Sequence, residues 1–233
     1  MFEEPINAFH LIFSSQEVYE IALRSIKVSG VATLMALCYG LPLGLIIGFF
    51  RFPGRVQLKS FFNAMLGVPT VALGLLLYLM LVPKGPLGSL GLLYTENGIS
   101  LGQSLLVAPI IVSFIANSIE AVEKDIRELA YTLGASNLQA SLSLIREASN
   151  GVVLSTIAAF NRAISELGIA IMIGGNIFVR DGAYNTRVLT TAMQMYVSRG
   201  ETDIALALGL ILIGIVFTIS SISNYIHGKL AGD

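Results

Sequence analysis

The sequence predicts an all-α protein that crosses a membrane about five times, and three observations carry that prediction. Of its 233 residues, 55% are hydrophobic and only 12% are charged, about half the charged share of a soluble domain. The mean hydropathy is +0.78. The charges are also unevenly placed: no Asp, Glu, Lys or Arg lies between Lys27 and Arg51, Lys59 and Lys84, Glu96 and Glu120, or Asp203 and Lys229. Each gap exceeds the ~20 residues a helix needs to cross the hydrocarbon core. The whole chain, 1–233, reads as one transmembrane domain.

The same composition excludes several functions. A net charge of −1 argues against a nucleic-acid binder, which would carry a basic patch. The lone Cys38 falls inside an apolar stretch, which leaves no disulfide framework and no thiol–metal site. His10 and His227 stand at opposite ends of the sequence, so a histidine metal site is not expected, and no cofactor is implied. Met1-Phe2-Glu3-Glu4-Pro5 lacks the basic start of a signal peptide, and the segment is expected to be retained.

Taken in order, residues 5–13 form a short apolar segment of interfacial character. Ser14-Ser15-Gln16-Glu17 reads as a capping box, with Ser14 as the cap and Glu17 reaching back. The helix that follows opens with a Glu20–Arg24 pair at i,i+4 and is wholly apolar from Val28 to Phe50. Gly40, Gly44 and Gly48 recur every four residues. That spacing fits a flat face for a close neighbour, and it fits loose packing with no special partner equally well.

Arg51-Phe52-Pro53-Gly54-Arg55 is a turn by its Pro-Gly pair. With Lys59 it holds three positive charges, which the positive-inside tendency places in the cytoplasm. The second span, about 60–82, carries Gly67-Val68-Pro69-Thr70 near its middle. Proline removes a donor and bends a helix, and a break at membrane depth is tolerated where protein or a cavity surrounds it.

A loop over 83–100 precedes the third span at about 101–119. A charged island follows, from Glu120 to about Asn150, and then a fourth span at about 151–173 that contains Arg162 and Glu166. A polar loop and a short amphipathic segment lead to the fifth span at about 204–226. Alternation then puts the N-terminus outside, and the island and the C-terminus inside. Basic residues lean the same way: Arg51, Arg55, Lys59, Lys124, Arg127, Arg146 and Lys229 inside, Lys84, Arg180, Arg187 and Arg199 outside.

Two places carry candidate function. On the island, Glu128-Leu129-Ala130-Tyr131-Thr132-Leu133-Gly134-Ala135-Ser136 is helix-prone and punctuated by a glycine that can take positive φ. A solvated loop and a docking element both fit it. In the fourth span, Arg162 and Glu166 share one face at i,i+4. Ionised groups inside a span are costly and face protein or water. One reading is an internal ion pair that fixes the helix. The other has Arg162 lending positive potential to an anion's path, where weak contacts suit passage.

The pattern Glu128-x-Ala130-x3-Gly134-Ala135-Ser136, placed before the penultimate span, resembles the EAA motif of ABC-transporter permease subunits. Where that motif ends in Ile-x-Leu-Pro, this chain has Leu144-Ile145-Arg146-Glu147. Val68-Pro69-Thr70-Val71-Ala72-Leu73-Gly74 is similar to the proline-broken span of molybdate, tungstate and sulfate permeases. So are Arg162-Ala163-Ile164-Ser165-Glu166-Leu167-Gly168, with Ser165 in place of a glycine, and Gly174-Gly175-Asn176-Ile177. Thr186-Arg187-Val188-Leu189-Thr190-Thr191-Ala192 also resembles the segment before their last span. Tungstate permeases show the greatest likeness.

The resemblance implies a type I importer permease fold in a bacterial inner membrane. It implies two short island helices that dock on a cytoplasmic ATP-binding subunit through Glu128, Ala130, Gly134, Ala135 and Ser136. It further implies a homodimer that receives an oxyanion, tungstate or molybdate, from an extracytoplasmic binding protein and passes it by alternating access. Pro69, Thr70, Asn161, Arg162, Ser165 and Glu166 are then the candidates for lining the path.

There is no phosphate-binding Gly-x4-Gly-Lys-Ser/Thr loop, since Gly228-Lys229 lacks the preceding glycine and the following hydroxyl. Any ATP hydrolysis would fall to a partner chain, and no catalytic dyad is evident. A rival reading is an ion-coupled secondary transporter acting alone. Such proteins often carry internal repeats and titrating carboxylates, whereas this chain offers no repeat and one carboxylate already facing an arginine.

Overall fold

The computed structural model describes residues 15–134, 137–178 and 185–231, with side chains at 15–121, 132–134, 151–178, 185–223 and 225. The described residues form the helices α1 (Gln16–Phe49), α2 (Arg55–Met65), α3 (Thr70–Leu81), α4 (Glu96–Thr132), α5 (Asn137–Ile164), α6 (Gly168–Gly174), α7 (Leu189–Ser198) and α8 (Thr202–Ala231). A 3-10 turn at Gly88–Leu90 and one antiparallel bridge, Phe178 to Asn185, complete the regular structure. Three helices are long and apolar enough to cross a membrane alone. The pairs α2–α3 and α5–α6 bring the number to five if each bent pair counts as one span.

The α1–α4 seam is the centre of the bundle. α1 runs parallel to α4, and its three glycines meet three isoleucines in order. A Cβ added at Gly40 would lie 3.3 Å from Ile111 Cγ2, one at Gly44 2.9 Å from Ile115 Cβ, and one at Gly48 2.6 Å from Ile119 Cδ1. The glycine stripe therefore has a partner. Ile111, Ile115 and Ile119 are fully buried, and Ala159 and Ala163 of α5 close the same cluster from the other side. Small residues let helix backbones approach where lipid gives no hydrophobic drive toward association.

Each end of the seam is tied by one carboxylate and two cations. At the first turn of α4, Glu96 holds Arg24 at 3.0 Å and Lys27 at 2.8 Å. At the far end, Glu120 holds Arg55 at 2.7 Å and also Lys59. The two glutamates are 24 residues apart, which at 1.5 Å per residue is roughly 36 Å, a little more than the ~30 Å apolar core of a bilayer.

Several local expectations are corrected. The cap of α1 is Ser15, whose hydroxyl accepts from the Val18 amide at 3.4 Å; Ser14 and the apolar segment 5–13 lie outside the described residues. Glu17 does not reach back, because Arg187 Nη1 and the Tyr196 hydroxyl donate to it at 3.0 and 2.7 Å. Burial first, and then that bond to Glu17, push the Tyr196 hydroxyl up to about 12, so it remains a donor. Arg24 leaves Glu20 for Glu96, and Gln16 pairs with Glu20 instead. α4 starts at Glu96 rather than near 101, because the Thr95 hydroxyl accepts from the Gly98 amide and opens the helix early.

The seam predicts a contrast between a glycine within it and one outside it. Gly44→Val should lower the thermal midpoint of the detergent-solubilised protein, with overpacking costing about 1–3 kcal/mol. Gly214→Ala, where a Cβ meets nothing within 4 Å, should leave it unchanged or raise it slightly.

Candidate functional site

Two spans break, and their broken ends meet. The second stops at Met65. Its chain turns through Leu66–Pro69, and α3 leaves at 101° to α2. The proline does more than bend a helix: Pro69 begins a new one, with φ −61° and ψ 119° and no side chain capping it. The first amides of any α-helix lack intrahelical acceptors, so the start of α3 presents partial positive charge.

In the fourth span the break lies at Ser165–Leu167, with a 58° bend between the two helical pieces. Glu166 is the residue that makes it tolerable. Its side chain is 2% exposed, Oε1 accepts from the Gly168 amide at 2.8 Å and the Ile169 amide at 3.4 Å, and Oε2 faces Arg162 Nη1 at 3.3 Å. The Glu166 carbonyl, freed by the bend, accepts from Thr190 Oγ1 at 2.9 Å. The Ser165 hydroxyl donates back to the Asn161 carbonyl at 2.8 Å. These bonds give the buried carboxylate and the freed backbone groups they reach partners within the protein.

The two breaks are held together glycine against glycine. A Cβ on Gly168 would lie 3.0 Å from Thr70 Oγ1 and from the Val71 amide nitrogen, and one on Gly74 would lie 3.2 Å from the Gly168 carbonyl oxygen. Beside this crossing lies a cavity of about 390 Å³, lined by Thr70 and Val71 of α3, Arg162, Ser165, Glu166, Leu167, Gly168 and Ile171, and Gln194 of α7. The Arg162 side chain is 44% exposed, so its guanidinium faces that space while Glu166 is withdrawn beneath it.

The expected path residues divide on this geometry. Thr70, Arg162, Ser165 and Glu166 line one cavity, and Pro69 stands immediately before it. Asn161 does not: its amide donates to Ser220 of α8 at 2.9 Å, turning the side chain away. Gln194 was not anticipated, because α7 reads as a generic amphipathic segment. The uncapped start of α3 was foreshadowed by Pro69.

The island is a helical hairpin rather than two separate short helices. α4 continues to Thr132 and α5 begins at Asn137, so both arms are extensions of membrane helices. The backbones of Glu128 and Ala130 lie on the last turns of α4, but their side chains, and Ala135 and Ser136, lie outside the described residues. Gly134 forms the turn with φ +78° and open space around its Cβ position, a conformation that favours glycine. Leu133 beside it is 78% exposed. The signal for it was a large apolar residue next to a turn glycine.

Residues 40–231 match the family described as "Binding-protein-dependent transport system inner membrane component". The "Probable anion ABC transporter permease protein" of Haloferax volcanii is 34% identical over 212 residues, 91% of each chain. The tungstate uptake system permease protein TupB of Campylobacter jejuni is 35% identical over 218 residues, 93% of this chain and 89% of its own. The molybdenum transport system permease protein ModB of Escherichia coli is 27% identical, covering 75% and 78%.

Among solved structures, an inward-facing form of the MetNI methionine ABC transporter aligns with a TM-score of 0.67 at 17% identity, over 92% of this chain and 98% of that one. A bacterial ABC transporter that imports alginate gives 0.68 at 16%, over 95% and 82%. These likenesses show the fold, and it is the importer permease fold that the sequence led us to expect.

The break at Glu166 can be probed by stability. Glu166→Ala removes the cap and the ion pair and should destabilise the solubilised protein, with about 0.5–2 kcal/mol from the cap alone. Glu166→Gln, which keeps an acceptor for the Gly168 amide, should lose less in the same melting assay.

Proposed function

Because the chain belongs to the family of binding-protein-dependent transport system inner membrane components, we propose that it is the membrane subunit of an ATP-driven importer of oxyanions. Tungstate or molybdate is the favoured cargo, since relatives carrying those names are similar to it over most of their length. In this reading the chain conducts, and a separate ATP-binding subunit hydrolyses. The hairpin around Gly134 docks on that subunit from the cytoplasm, with the N-terminus outside and the C-terminus inside.

One observation carries the reading: the broken ends of α3 and α5 converge on a cavity faced by Arg162 and by an uncapped helix start. An anion crossing the membrane needs positive potential at mid-depth, but a strong site would hold it. Here the arginine shares its charge with Glu166, and the helix terminus adds only a partial charge. Contacts of that kind are weak enough to leave. A second copy facing the cavity would line a path between two such surfaces, and exposed apolar residues of α3 (Val71, Leu75, Leu76 and Leu79) suit either that partner or lipid. A binding protein would deliver the anion from outside, and alternating access would move it.

The ion-coupled rival is poorly supported. Its proton carrier would have to be Glu166, yet both oxygens of that carboxylate are committed, one to helix amides and one to Arg162. The two readings separate in liposomes. With an ATP-binding subunit and an anion-binding protein, uptake of tungstate or molybdate should require ATP hydrolysis. Uptake by the chain alone on a proton or sodium gradient would refute the proposal.

Within the assembled system, Arg162→Gln should reduce the maximal uptake rate roughly tenfold, equivalent to about 1.4 kcal/mol, while the binding protein's affinity for the anion is unchanged. Gly134→Glu strains a left-handed turn by about 1–2 kcal/mol and alters the hairpin tip. The variant should insert normally, but co-purification with the ATP-binding subunit, or the stimulated hydrolysis, should be lost.

A further inference from the structure

One ion cluster is not used by the path or by the hairpin tip, and it lies between them. Glu120 is the point on α4 where the apolar stretch ends and the hairpin arm begins. Its Oε1 accepts from Arg55 Nη2 at 2.7 Å, and its Oε2 accepts from Lys59 Nζ. Arg55 has a second role: its Nε donates to the Ile47 carbonyl at 2.6 Å and its Nη2 to the Gly48 carbonyl at 3.2 Å. These carbonyls belong to the last turn of α1. One guanidinium therefore caps α1, begins α2 and grips α4.

α2 depends on this grip. None of its residues is buried, and Leu58 and Phe62 are partly buried against the Ile47, Val112 and Ala116 cluster. Its eleven residues span roughly 16 Å. One end is clamped to Glu120; the other passes through the Leu66–Pro69 turn directly into Thr70 at the cavity. Charge-assisted bonds to a carboxylate, partly withdrawn from water and shared among three elements, are stronger and better oriented than an isolated surface pair.

We propose that Glu120 is a positioning residue for transport: through Arg55 and Lys59 it makes α2 the strap that carries movement of the hairpin arm to the start of α3, and so to the mouth of the cavity. The inference rests on the transport reading above and adds a route for the coupling that bypasses the hairpin tip. With the clamp intact, a tilt of α4 at Glu120 moves α2 as a rigid piece and shifts Thr70 relative to Gln194. Without it, α4 moves and α2 stays with the lipid interface.

The test uses the full complex in liposomes, with the ATP-binding subunit and the binding protein, on a Cys38→Ser background. In Glu120→Gln, stimulated ATP hydrolysis should stay within about twofold of the parent while anions moved per ATP fall about tenfold, and Glu120→Asp should recover part of that ratio. A Thr70→Cys/Gln194→Cys pair reports the movement. Its cross-linking yield should differ between nucleotide-free and vanadate-trapped complexes of the parent, and that difference should vanish with Glu120→Gln. If Glu120→Gln does not assemble, Lys59→Gln, which leaves the Arg55 cap in place, should show the same loss in smaller measure. An unchanged transport ratio with a nucleotide-sensitive cross-link in the assembled variant overturns the proposal. A parent complex that fails to transport with ATP would instead sink the importer reading.

Discussion

The seam between Gly40, Gly44, Gly48 and Ile111, Ile115, Ile119 is the constraint from which the rest of the bundle follows. Lipid tails are as apolar as the helices, so association in a bilayer has to come from close contact and from polar groups that find partners. Glycine at every fourth position lets two backbones approach until isoleucine side chains fill the space between them. That contact also fixes register. It places Glu96 beside Arg24 and Lys27 at one end and Glu120 beside Arg55 and Lys59 at the other, so the charged clamps land near the two edges of the apolar layer.

A rigid seam allows the remaining spans to be broken. Backbone groups released at membrane depth need partners inside the protein, and around Ser165–Leu167 side chains supply several of them. Glu166 takes two amides, Thr190 reaches the Glu166 carbonyl, and Ser165 returns to Asn161. Thr190 arrives because the 186–191 segment is itself pinned. Thr186 Oγ1 bridges Gly174 and Ile177, and Ser25 of α1 accepts from the Leu189 amide. The cavity is thus built outward from the seam, with α7 as the piece that locks it.

How much of this was legible depends on whether a signal is local. Charge-free stretches marked the apolar helices, because the requirement for about 20 uncharged residues acts on each segment alone. Pro69 marked a break for the same reason, although neither the 101° turn nor the glycine crossing at Gly74 and Gly168 can be read from one strand of sequence. The i,i+4 spacing of Arg162 and Glu166 correctly gave an ion pair. It did not show that Glu166 would also cap the next helix, which depends on where the chain bends. Arg24 and Glu17 were misassigned to near neighbours because their partners, Glu96 and Arg187, lie 72 and 170 residues away. Asn161 sits one residue before Arg162, yet a 100° step around the helix points it at Ser220.

These errors share a physical cause that bears on the site itself. A charged side chain in an apolar layer goes to the partner that satisfies the most hydrogen bonds at least exposure, and sequence proximity counts for little. For Glu166 that partner set is two amides and one arginine, which leaves the carboxylate 2% exposed and the arginine 44% exposed. On the proposed transport reading, the asymmetry has a consequence for passage. Were both groups buried, the pair would be a strut and nothing more; were both exposed, the glutamate would repel an anion as strongly as the arginine attracted it. Withdrawing the carboxylate behind its own helix cap leaves Arg162 as the more exposed charge at the cavity, its field tempered by the counter-charge of Glu166 beneath it. On the transport reading proposed above, an attraction of that strength would draw an oxyanion to the break without keeping it there.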